Sequence, residues 1–377
     1  MKLISLCAAL GMLVACSADP VPEPVLSLTQ VLGGSEVPES GYLRATSPRS
    51  FRFPEDHGPH RGFRNEWWYL TGNLDTAEGR HFGYQLTFFN AALPESPASG
   101  ASAWESDTLW MAHFALTDAQ TGQHRPAERF SRGAPGLAGA SAEPFRVWLD
   151  NWQFTRNTET GLWHVQVEDG DLALDLSLDA LKRPVLQGES GLSQKSPQPG
   201  NASYYYSMTR LATEGTIRSG QQQFQVSGLS WLDREWSTSA LGADQGGWNW
   251  FALQFLDGQE LMYYQMVDLR GEPLSSSAGS WTDVSAVQHP IAPGQIVLEP
   301  LRTWTSPADV AYPVEWKVRY GQQDWRVKAL VDAQWMNLSI PYWEGAVEVR
   351  DWATGALAGH GYLEVVRESR TQTNRAP

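Results

Sequence analysis

Apolar and polar residues alternate along most of the chain from Glu66 onward, with a period of two residues rather than 3.6. Such alternation predicts β-strands that bury one face. Turn-forming residues such as Asp169 and Gly170 separate the alternating segments. The predicted strands of the first half include residues 82–88, 109–116, 145–154, 162–167 and 172–178. No amphipathic helix of useful length is predicted, so the pattern favours an all-β fold.

The alternation breaks between residues 182 and 203, where three prolines and three glycines fall close together. We therefore predict a domain boundary here, with an N-terminal unit at 51–195 and a C-terminal unit at 196–377. Each unit has the length of one antiparallel barrel of about eight strands, which can enclose one apolar ligand. A weak similarity between residues 68–75 and 250–257 indicates an internal duplication.

The N-terminus has the pattern of a bacterial lipoprotein signal peptide. Lys2 precedes a short apolar run, and the sequence ends in Leu13-Val14-Ala15-Cys16, which resembles a lipobox. The apolar run is too short to span a bilayer. We predict cleavage before Cys16, lipid attachment to its thiol, and a flexible tether at 17–50. An ordinary secretory signal is the alternative. Ser17 after the cysteine favours the outer membrane, so the predicted location is the periplasm.

Composition narrows the class of protein further. The chain of 377 residues is 42% hydrophobic and 19% charged, which is typical of a globular protein. Its net charge of −14 argues against nucleic acid and against an anionic membrane surface as partners, leaving the lipid anchor as the membrane contact. Cys7 lies in the signal, so the mature chain has one cysteine and no disulfide. The 18 tryptophans exceed ordinary core needs and predict an aromatic-lined cavity.

Two polar clusters stand out as a candidate site. Residues 53–74 carry His57, His60 and Glu66 directly before Trp67 and Trp68, and residues 231–236 read WLDREW. Charged groups beside apolar rings need partners, so we predict that the two stretches meet. On a strand, Asp233 and Glu235 share one face and Arg234 points to the other. This is either a carboxylate pair with a raised pKa at a cavity mouth or a structural ion-pair cluster.

Other chemistries have weaker support in the sequence. His57 has the chemistry of a general acid or base near neutral pH. His57 and His60 lack the further ligands that a metal site needs, so no metal and no cofactor are predicted. No Gly-x-Ser-x-Gly elbow supports a serine hydrolase. A carboxylate pair that hydrolyses glycosides remains open, although the tryptophans alternate as barrel-interior residues do. His113 is predicted to be an interior histidine with a satisfied ring.

Several longer motifs resemble one family, the AttH-type lipocalin-like proteins. They are residues 53–74, MAHFALTD at 111–118, GLSQKS at 191–196, SYYYSMTRL at 203–211, GLSWLDREWS at 228–237 and PYWEGAV at 341–347. That family is related to carotenoid 1,2-hydratases and carries the label of predicted secreted hydrolase. The resemblance spans about residues 45–366 and implies two lipocalin-like (calycin) barrels packed together. It also implies encoding beside an ABC transporter permease.

The resemblance to carotenoid hydratases is partial at their active-site motifs. Trp236 matches, whereas Arg234 stands where the hydratases have a histidine, and Gln265 stands after Tyr264 where they have an aspartate. Arginine stays protonated near neutral pH and cannot donate a proton to an alkene. The aligned acid of the hydratases is therefore absent from this chain.

Together these features predict a lipid-anchored, all-β periplasmic protein that binds an elongated hydrophobic molecule, of isoprenoid or lipid type, and works with an ABC transporter. One alternative is a hydratase-like lyase, isomerase or cyclase acting on a carbon–carbon double bond, and another is a structural partner of the permease. The candidate catalytic residues are His57, Asp233, Glu235, Trp236 and Tyr264. The candidate ligand-binding residues are Glu66, Trp67, Trp68, Tyr206, Arg234 and Trp250.

Overall fold

The protein was analysed as a computed structural model that describes residues 41–92, 108–133, 136–238, 242 and 244–367. The predicted signal peptide, with Cys16, and most of the predicted tether lie outside the described residues. Where the structure describes the chain, it is almost entirely β-strand, with one short 3-10 helix at Glu55–His57. No helix in these ranges is both long and apolar enough to cross a membrane. The predicted all-β class is confirmed.

Thirteen strands form the first antiparallel sheet. They are β1 (Asn65–Asp75), β2 (His81–Ala92), β3 (Thr108–Asp118), β4 (Gln123–Arg132), β5 (Ala138–Ala142), β6 (Phe145–Leu149), β7 (Trp152–Arg156), β8 (Trp163–Asp169), β9 (Leu172–Ala180), β10 (Val185–Leu186), β11 (Leu192–Gln194), β12 (Ala202–Ser219) and β13 (Gln222–Ser237). The sheet curls around one core, in which alternate leucines of β9 pack beside Trp68 and Trp152.

Ten strands form the second antiparallel sheet. They are β14 (Gln245–Phe255), β15 (Glu260–Asp268), β16 (Ala278–Thr282), β17 (Gln288–Ile291), β18 (Ile296–Thr305), β19 (Ala311–Tyr320), β20 (Gln323–Ala329), β21 (Trp335–Met336), β22 (Tyr342–Asp351) and β23 (Leu357–Arg367). This sheet has a separate core that includes Phe251, Trp316 and Trp343. The two sheets are the barrel-like units that the sequence predicts.

The change from one sheet to the other falls between Ser237 and Gln245, not at residues 182–203 as the sequence analysis predicts. The proline- and glycine-rich segment instead forms β10 and β11, which pair with β12 inside the first sheet. Strands β12 and β13, assigned by the sequence to the C-terminal unit, thus complete the N-terminal one. Prolines and glycines interrupt a strand pattern equally well in a covering loop and in a linker, so composition alone did not separate the two cases.

Strand order repeats between the two sheets. The series β4-β3-β2-β1-β13 in the first sheet matches β17-β16-β15-β14-β23 in the second. The residue-level match differs from the expected one, because Trp68 faces the first core whereas Trp250 faces the junction between the sheets. A shift of one residue along a strand moves every side chain to the opposite face. The residue of β14 that is structurally equivalent to Trp68 therefore lies an odd number of positions from Trp250.

The sheets pack closely face to face, and this packing buries both faces of β1 over most of its length. Gly83 on β2 lies so near β22 that a Cβ atom at this position would be 2.4 Å from the Cβ of Ala346. Asn73 donates a hydrogen bond of 3.0 Å to the carbonyl oxygen of Gly361 on β23. The alternate side chains of the central strands therefore point either into a barrel core or into the junction.

Candidate functional site

A cavity of about 90 Å³ lies in the junction between the two sheets. Aromatic rings from both sheets form most of its wall, and four charged side chains enter it. The lining residues are Trp67, Tyr69, Thr87, Phe89, Lys195, Tyr205, Asp233, Glu235, Trp248, Trp250, Tyr264, Met266, Tyr342 and Glu364. The cavity is smaller than the roughly 150 Å³ that holds benzene in an engineered protein core. An elongated ligand would enter it with one end.

Asp233 brings a buried carboxyl group to this cavity. It lies on β13, where alternation turns Asp233 and Glu235 toward the junction and Arg234 toward the first core, as predicted. Its oxygens accept hydrogen bonds from the Tyr205 hydroxyl at 2.5 Å, the Ser207 hydroxyl at 2.6 Å and the Trp231 indole at 2.7 Å. Burial raises the pKa of Asp233 to about 7 despite these donors. This carboxyl group exchanges a proton near neutral pH.

Glu364 on β23 contributes a second carboxyl group from the opposite sheet. The indole N–H of Trp248 donates a hydrogen bond of 2.8 Å to it. Burial, with the nearby carboxylates of Asp233 and Glu235 as smaller causes, raises the pKa of Glu364 to about 7. Glu364 thus has one hydrogen-bond donor where Asp233 has three, and both carboxyl groups have a pKa of about 7.

Glu344 lies next to the cavity wall and adds a third carboxyl group without a cation. The hydroxyl of Tyr69, which lines the cavity, donates a hydrogen bond to it. Burial and the neighbouring Glu364 raise the pKa of Glu344 well above its ordinary value. Burial therefore favours the protonated form of Glu344, which lies behind the aromatic wall.

Lys195 supplies the positive charge of the cavity. Its ammonium group lies 3.0 Å from the carboxylate of Glu235 and 4.1 Å from the ring centroid of Tyr264. The Ser203 hydroxyl also donates to Glu235. Burial lowers the pKa of Lys195, but Glu235, Tyr264 and Asp233 together more than offset this, so the net pKa is raised. Glu235 therefore has a cation directly beside it, unlike Asp233 and Glu364.

The predicted meeting of the two polar stretches occurs on the other face of β13. Arg234 has no exposed surface and lies 3.8 Å from the ring centroid of Trp68. Its guanidinium donates hydrogen bonds of 2.6 Å to Glu66 and 2.6 Å to the carbonyl oxygen of Gly58. Burial raises the pKa of Glu66, but the charge of Arg234 together with hydrogen bonds from His60 and Asn90 lowers it overall, to about 2. This is a fully compensated ion pair that joins the N-terminal segment to the barrel.

His57 and Trp236 belong to that same face and do not line the cavity. The Nδ1 atom of His57 lies 2.7 Å from the hydroxyl of Tyr206, and the ring packs edge-on against Trp163. Burial, then the nearby charge of Arg156, lowers the pKa of His57 to about 3. Trp236 is fully buried and stacks on His60 at 3.5 Å between ring centroids.

The predicted site residues thus fall into two groups. Asp233, Glu235, Tyr264, Trp67 and Trp250 line the cavity between the sheets. A second group lies on the side of the first core and consists of His57, Glu66, Trp68, Tyr206, Arg234 and Trp236. The catalytic and binding roles proposed for both groups remain predictions, but only the first group shares a space that a ligand can enter.

Sequence reasoning missed four polar contributors to this region, Lys195, Tyr205, Glu344 and Glu364. A signal for two of them exists in the sequence. Glu344 and Glu364 are the charged residues that interrupt otherwise apolar stretches of β22 and β23. Their alternation with core residues places them on the junction face, yet only the pairing of the sheets shows that this face is buried. Lys195 lies just beyond β11 in a loop whose position no periodicity predicts.

The arrangement of the carboxyl groups is suited to proton transfer. Within the described ranges, no group of three or more His, Cys, Asp or Glu side chains is arranged to hold a metal ion. Two carboxyl groups that titrate near neutral pH, held in an aromatic cavity, are suited to general acid–base work. The fold and the site together define a two-barrel lipocalin-type protein with an acidic aromatic cavity at the junction.

Comparison with known proteins agrees with this class. The AttH-like family profile matches residues 44–366. A solved AttH-like protein from Nitrosomonas europaea shares 35% identity with this chain, covers 85% of it and 100% of its own length, and superposes with a TM-score of 0.75. The chain belongs to the AttH-like family. Among curated proteins, no significant match to the sequence is found.

More distant solved structures share the fold. Kievitone hydratase from Nectria haematococca matches 87% of this chain and 97% of its own, at 14% identity and a TM-score of 0.64. The protein CghA, solved with the compound Sch210972, matches 91% of this chain and 98% of its own, at 11% identity and a TM-score of 0.56. These identities are low, so the likeness establishes the common two-barrel architecture.

Proposed function

We propose that this protein binds one end of a hydrophobic, unsaturated small molecule in the junction cavity and hydrates its double bond by acid–base catalysis. The observation that carries the proposal is the pair Asp233 and Glu364, a buried and a half-buried carboxyl group that share an aromatic cavity and have pKa values of about 7. Groups with such pKa values can give and take protons at physiological pH.

The proposed reaction assigns one role to each carboxyl group. Glu364 in its acid form transfers its proton to one alkene carbon, leaving a carbocation on the other. Aromatic faces such as that of Trp250, together with the carboxylate of Glu235, stabilise this positive charge. A water molecule then bonds to the cationic carbon, and Asp233 accepts the proton that the water loses. The overall reaction adds water to an alkene and gives an alcohol. The proton held by Asp233 returns to Glu364 through solvent.

The relatives support the same class of reaction. Kievitone hydratase shares the two-barrel architecture, and its name describes addition of water. In this chain the acid is carried by Glu364 on the last strand, because Arg234 and Gln265 occupy positions that hold a histidine and an aspartate in the carotenoid hydratases the sequence resembles. Of the other residues predicted to be catalytic, Glu235 and Tyr264 line the cavity, where Tyr264 contributes to its shape. His57 and Trp236 lie on the opposite side of β13, where Trp236 packs against Arg234.

Isotope incorporation tests this proposal whichever alcohol is formed. The purified protein is incubated with a panel of isoprenoid alkenes and prenylated phenols in water enriched in oxygen-18, and products are examined by mass spectrometry. We expect a labelled alcohol from the wild type and at least about a hundredfold less from Glu364→Gln and Asp233→Asn, since general acid or base loss typically costs that much. Glu348→Gln on β22 is the matched control. Equal turnover by all variants would contradict the assignment.

A second candidate function is carriage of the same kind of ligand without turnover. The predominance of aromatic rings in the cavity wall favours it, because such walls bind apolar groups regardless of catalysis. Native mass spectrometry of the protein purified from its own membranes distinguishes the two. A carrier retains a defined apolar adduct that survives both carboxyl substitutions, whereas the enzyme binds the panel compound and converts it only with both groups intact.

We also propose the location and partners that the sequence suggests. Lipid attachment at Cys16 would hold the protein at the periplasmic face of a membrane, with no other membrane contact, and an ABC transporter permease would be its neighbour. Metabolic labelling with a radioactive fatty acid tests the anchor, and Cys16→Ser should abolish the label and release the protein into the soluble fraction. Co-purification of the permease with the anchored form tests the partnership.

A further inference from the structure

Acidic side chains that are buried in this protein almost always have a cation beside them. Eight aspartates and glutamates are buried among the described residues. Six of them lie within ion-pair distance of an arginine or lysine, namely Asp56, Glu66, Asp118, Glu235, Glu260 and Glu315. The remaining two, Asp233 and Glu344, have no such partner within these ranges and lie in or beside the junction cavity, as does the half-buried Glu364.

The lack of a cation beside Asp233 and Glu364 is particular to the cavity and is not shared by the rest of the junction. At Glu260, in the same junction, Lys182 approaches to 2.8 Å and Arg210 to 2.6 Å. Leaving a buried carboxylate unpaired costs several kcal/mol, which a nearby cation offsets. Glu260 thus has two cations beside it, whereas Asp233 and Glu364, which line the cavity, have none within ion-pair distance.

The cavity already shows that its walls accept an ammonium group. Lys195 holds its Nζ atom 4.1 Å from the ring centroid of Tyr264 and 4.9 Å from that of Tyr205, and it pairs with Glu235. Aromatic faces attract cations, most strongly when water is excluded. Further rings of the wall, including Trp67, Trp248 and Trp250, stand near carboxyl groups that have no ammonium of their own.

We propose that the cavity recognises a ligand bearing a small organic cation, such as a quaternary or tertiary ammonium group, with Asp233 and Glu364 as its counter-charges. The volume of about 90 Å³ suits a single compact head-group. The absence of a metal-binding arrangement in the described ranges favours an organic cation over a metal ion. An anionic head-group is disfavoured, because the ammonium of Lys195 is already engaged by Glu235.

The inference concerns the cavity of the proposed function and rests on that cavity being a ligand site. A stable organic cation carries the charge that the proposed hydration would create transiently, so such a ligand would occupy the cavity in competition with an alkene. Because the carboxyl group that pairs with the cation must lose its proton, the affinity should rise about tenfold between pH 6 and pH 8, as expected for ionisation of one group with a pKa of about 7.

The test compares choline with its uncharged carbon isostere, in which a tert-butyl group replaces trimethylammonium, and with trimethylacetate as an anion. Binding to the purified protein is followed by the indole N–H signals in NMR spectra, which report Trp248 and Trp250 directly. We expect choline to bind at least about tenfold more tightly than the isostere, and trimethylacetate not to bind. Glu364→Gln and Asp233→Asn should each reduce the choline affinity toward that of the isostere, while Glu348→Gln should not.

Equal affinity for choline and the isostere would overturn the proposal, as would an absence of choline binding or a choline affinity that neither carboxyl substitution changes. The two substitutions lie on different sheets, so a folding defect in one leaves the other informative. These measurements involve no turnover. Choline selectivity without hydration would overturn only the proposed reaction, and hydration without choline selectivity would overturn only this inference.

Discussion

The imidazole rings of His81 and His360 stack across the junction of the two sheets, with centroids 4.9 Å apart and planes inclined by 28°. Both nitrogens of His81 face acceptor oxygens, Asp75 Oδ1 at 2.8 Å and Asn73 Oδ1 at 3.0 Å. The amide of Asn73 is oriented by its bond to Gly361, so its oxygen is the atom that faces the ring. Both ring nitrogens of His81 are thus engaged by acceptors, and its ring lies directly against that of His360.

Stability should therefore fall with acidification through His360. Burial, then the charge of His81, lowers its pKa, while Asp75 and Glu348 act in the opposite direction and Arg350 reinforces the lowering. A histidine with a depressed folded pKa contributes stability above its unfolded pKa of about 6.5 and loses it as pH falls below that value. We expect the melting temperature to fall less between pH 7 and pH 5 in His360→Gln than in wild type. Parallel curves would contradict this account.

Removing Arg234 should strongly destabilise the protein, because Glu66 would be left buried without its guanidinium. Breaking a buried pair at one partner typically costs about 3–5 kcal/mol. Arg234→Met should show such a loss in urea unfolding, and the double substitution Arg234→Met with Glu66→Gln should recover a large part of it. If the single and double variants lose the same stability, the pair is not the source of the effect.

The close approach of the sheets at Gly83 can be tested by a compensating pair. Gly83→Ala should destabilise by about 1–3 kcal/mol, typical of overpacking, since its new Cβ would lie 2.4 Å from the Cβ of Ala346. Adding Ala346→Gly removes the opposing methyl group and should restore most of the loss. Denaturation midpoints of the two single variants and the double variant measure the coupling, and simple additivity would contradict the direct contact.

Lys195→Met should produce a defect that depends on pH. Without the ammonium group, buried Glu235 keeps only the Ser203 hydroxyl as a donor, and its carboxylate form becomes costly. In this variant, Glu235 should hold its proton more readily in the folded state than in the unfolded state. The variant should therefore lose stability as pH rises from about 5 toward 8. Thermal unfolding of the variant relative to wild type across this range measures the effect. A difference that is constant with pH would show that Glu235 does not depend on Lys195.

Periodicity predicted the β-class, most strands and the opposite orientations of Asp233 and Arg234, since alternation is a local property of a strand. The position of Glu364 opposite Asp233 is not local. It depends on the pairing of β14 with β23 and on the packing of one sheet against the other, which residue spacing does not encode. The boundary between the sheets was misplaced for a related reason, because β10 and β11 have the composition of a linker but pair within the first barrel.

The meeting of the two polar stretches was predicted from their charged residues, yet its meaning changed once both faces of β13 were visible. The same strand presents a compensated ion pair to one side and uncompensated carboxyl groups to the other. Sequence alone could not show which polar residues lie beside empty space, because that depends on how large side chains from both sheets fill the junction.

The cavity draws its acids from both sheets, with Asp233 on the first and Glu364 on the second. Either barrel expressed alone would carry only part of the cavity wall and would expose its aromatic junction face to water. Changes of specificity during evolution could therefore arise in one half of the gene while the other half kept the fold, and exchange of halves between related proteins would be a direct way to create new ligand preferences.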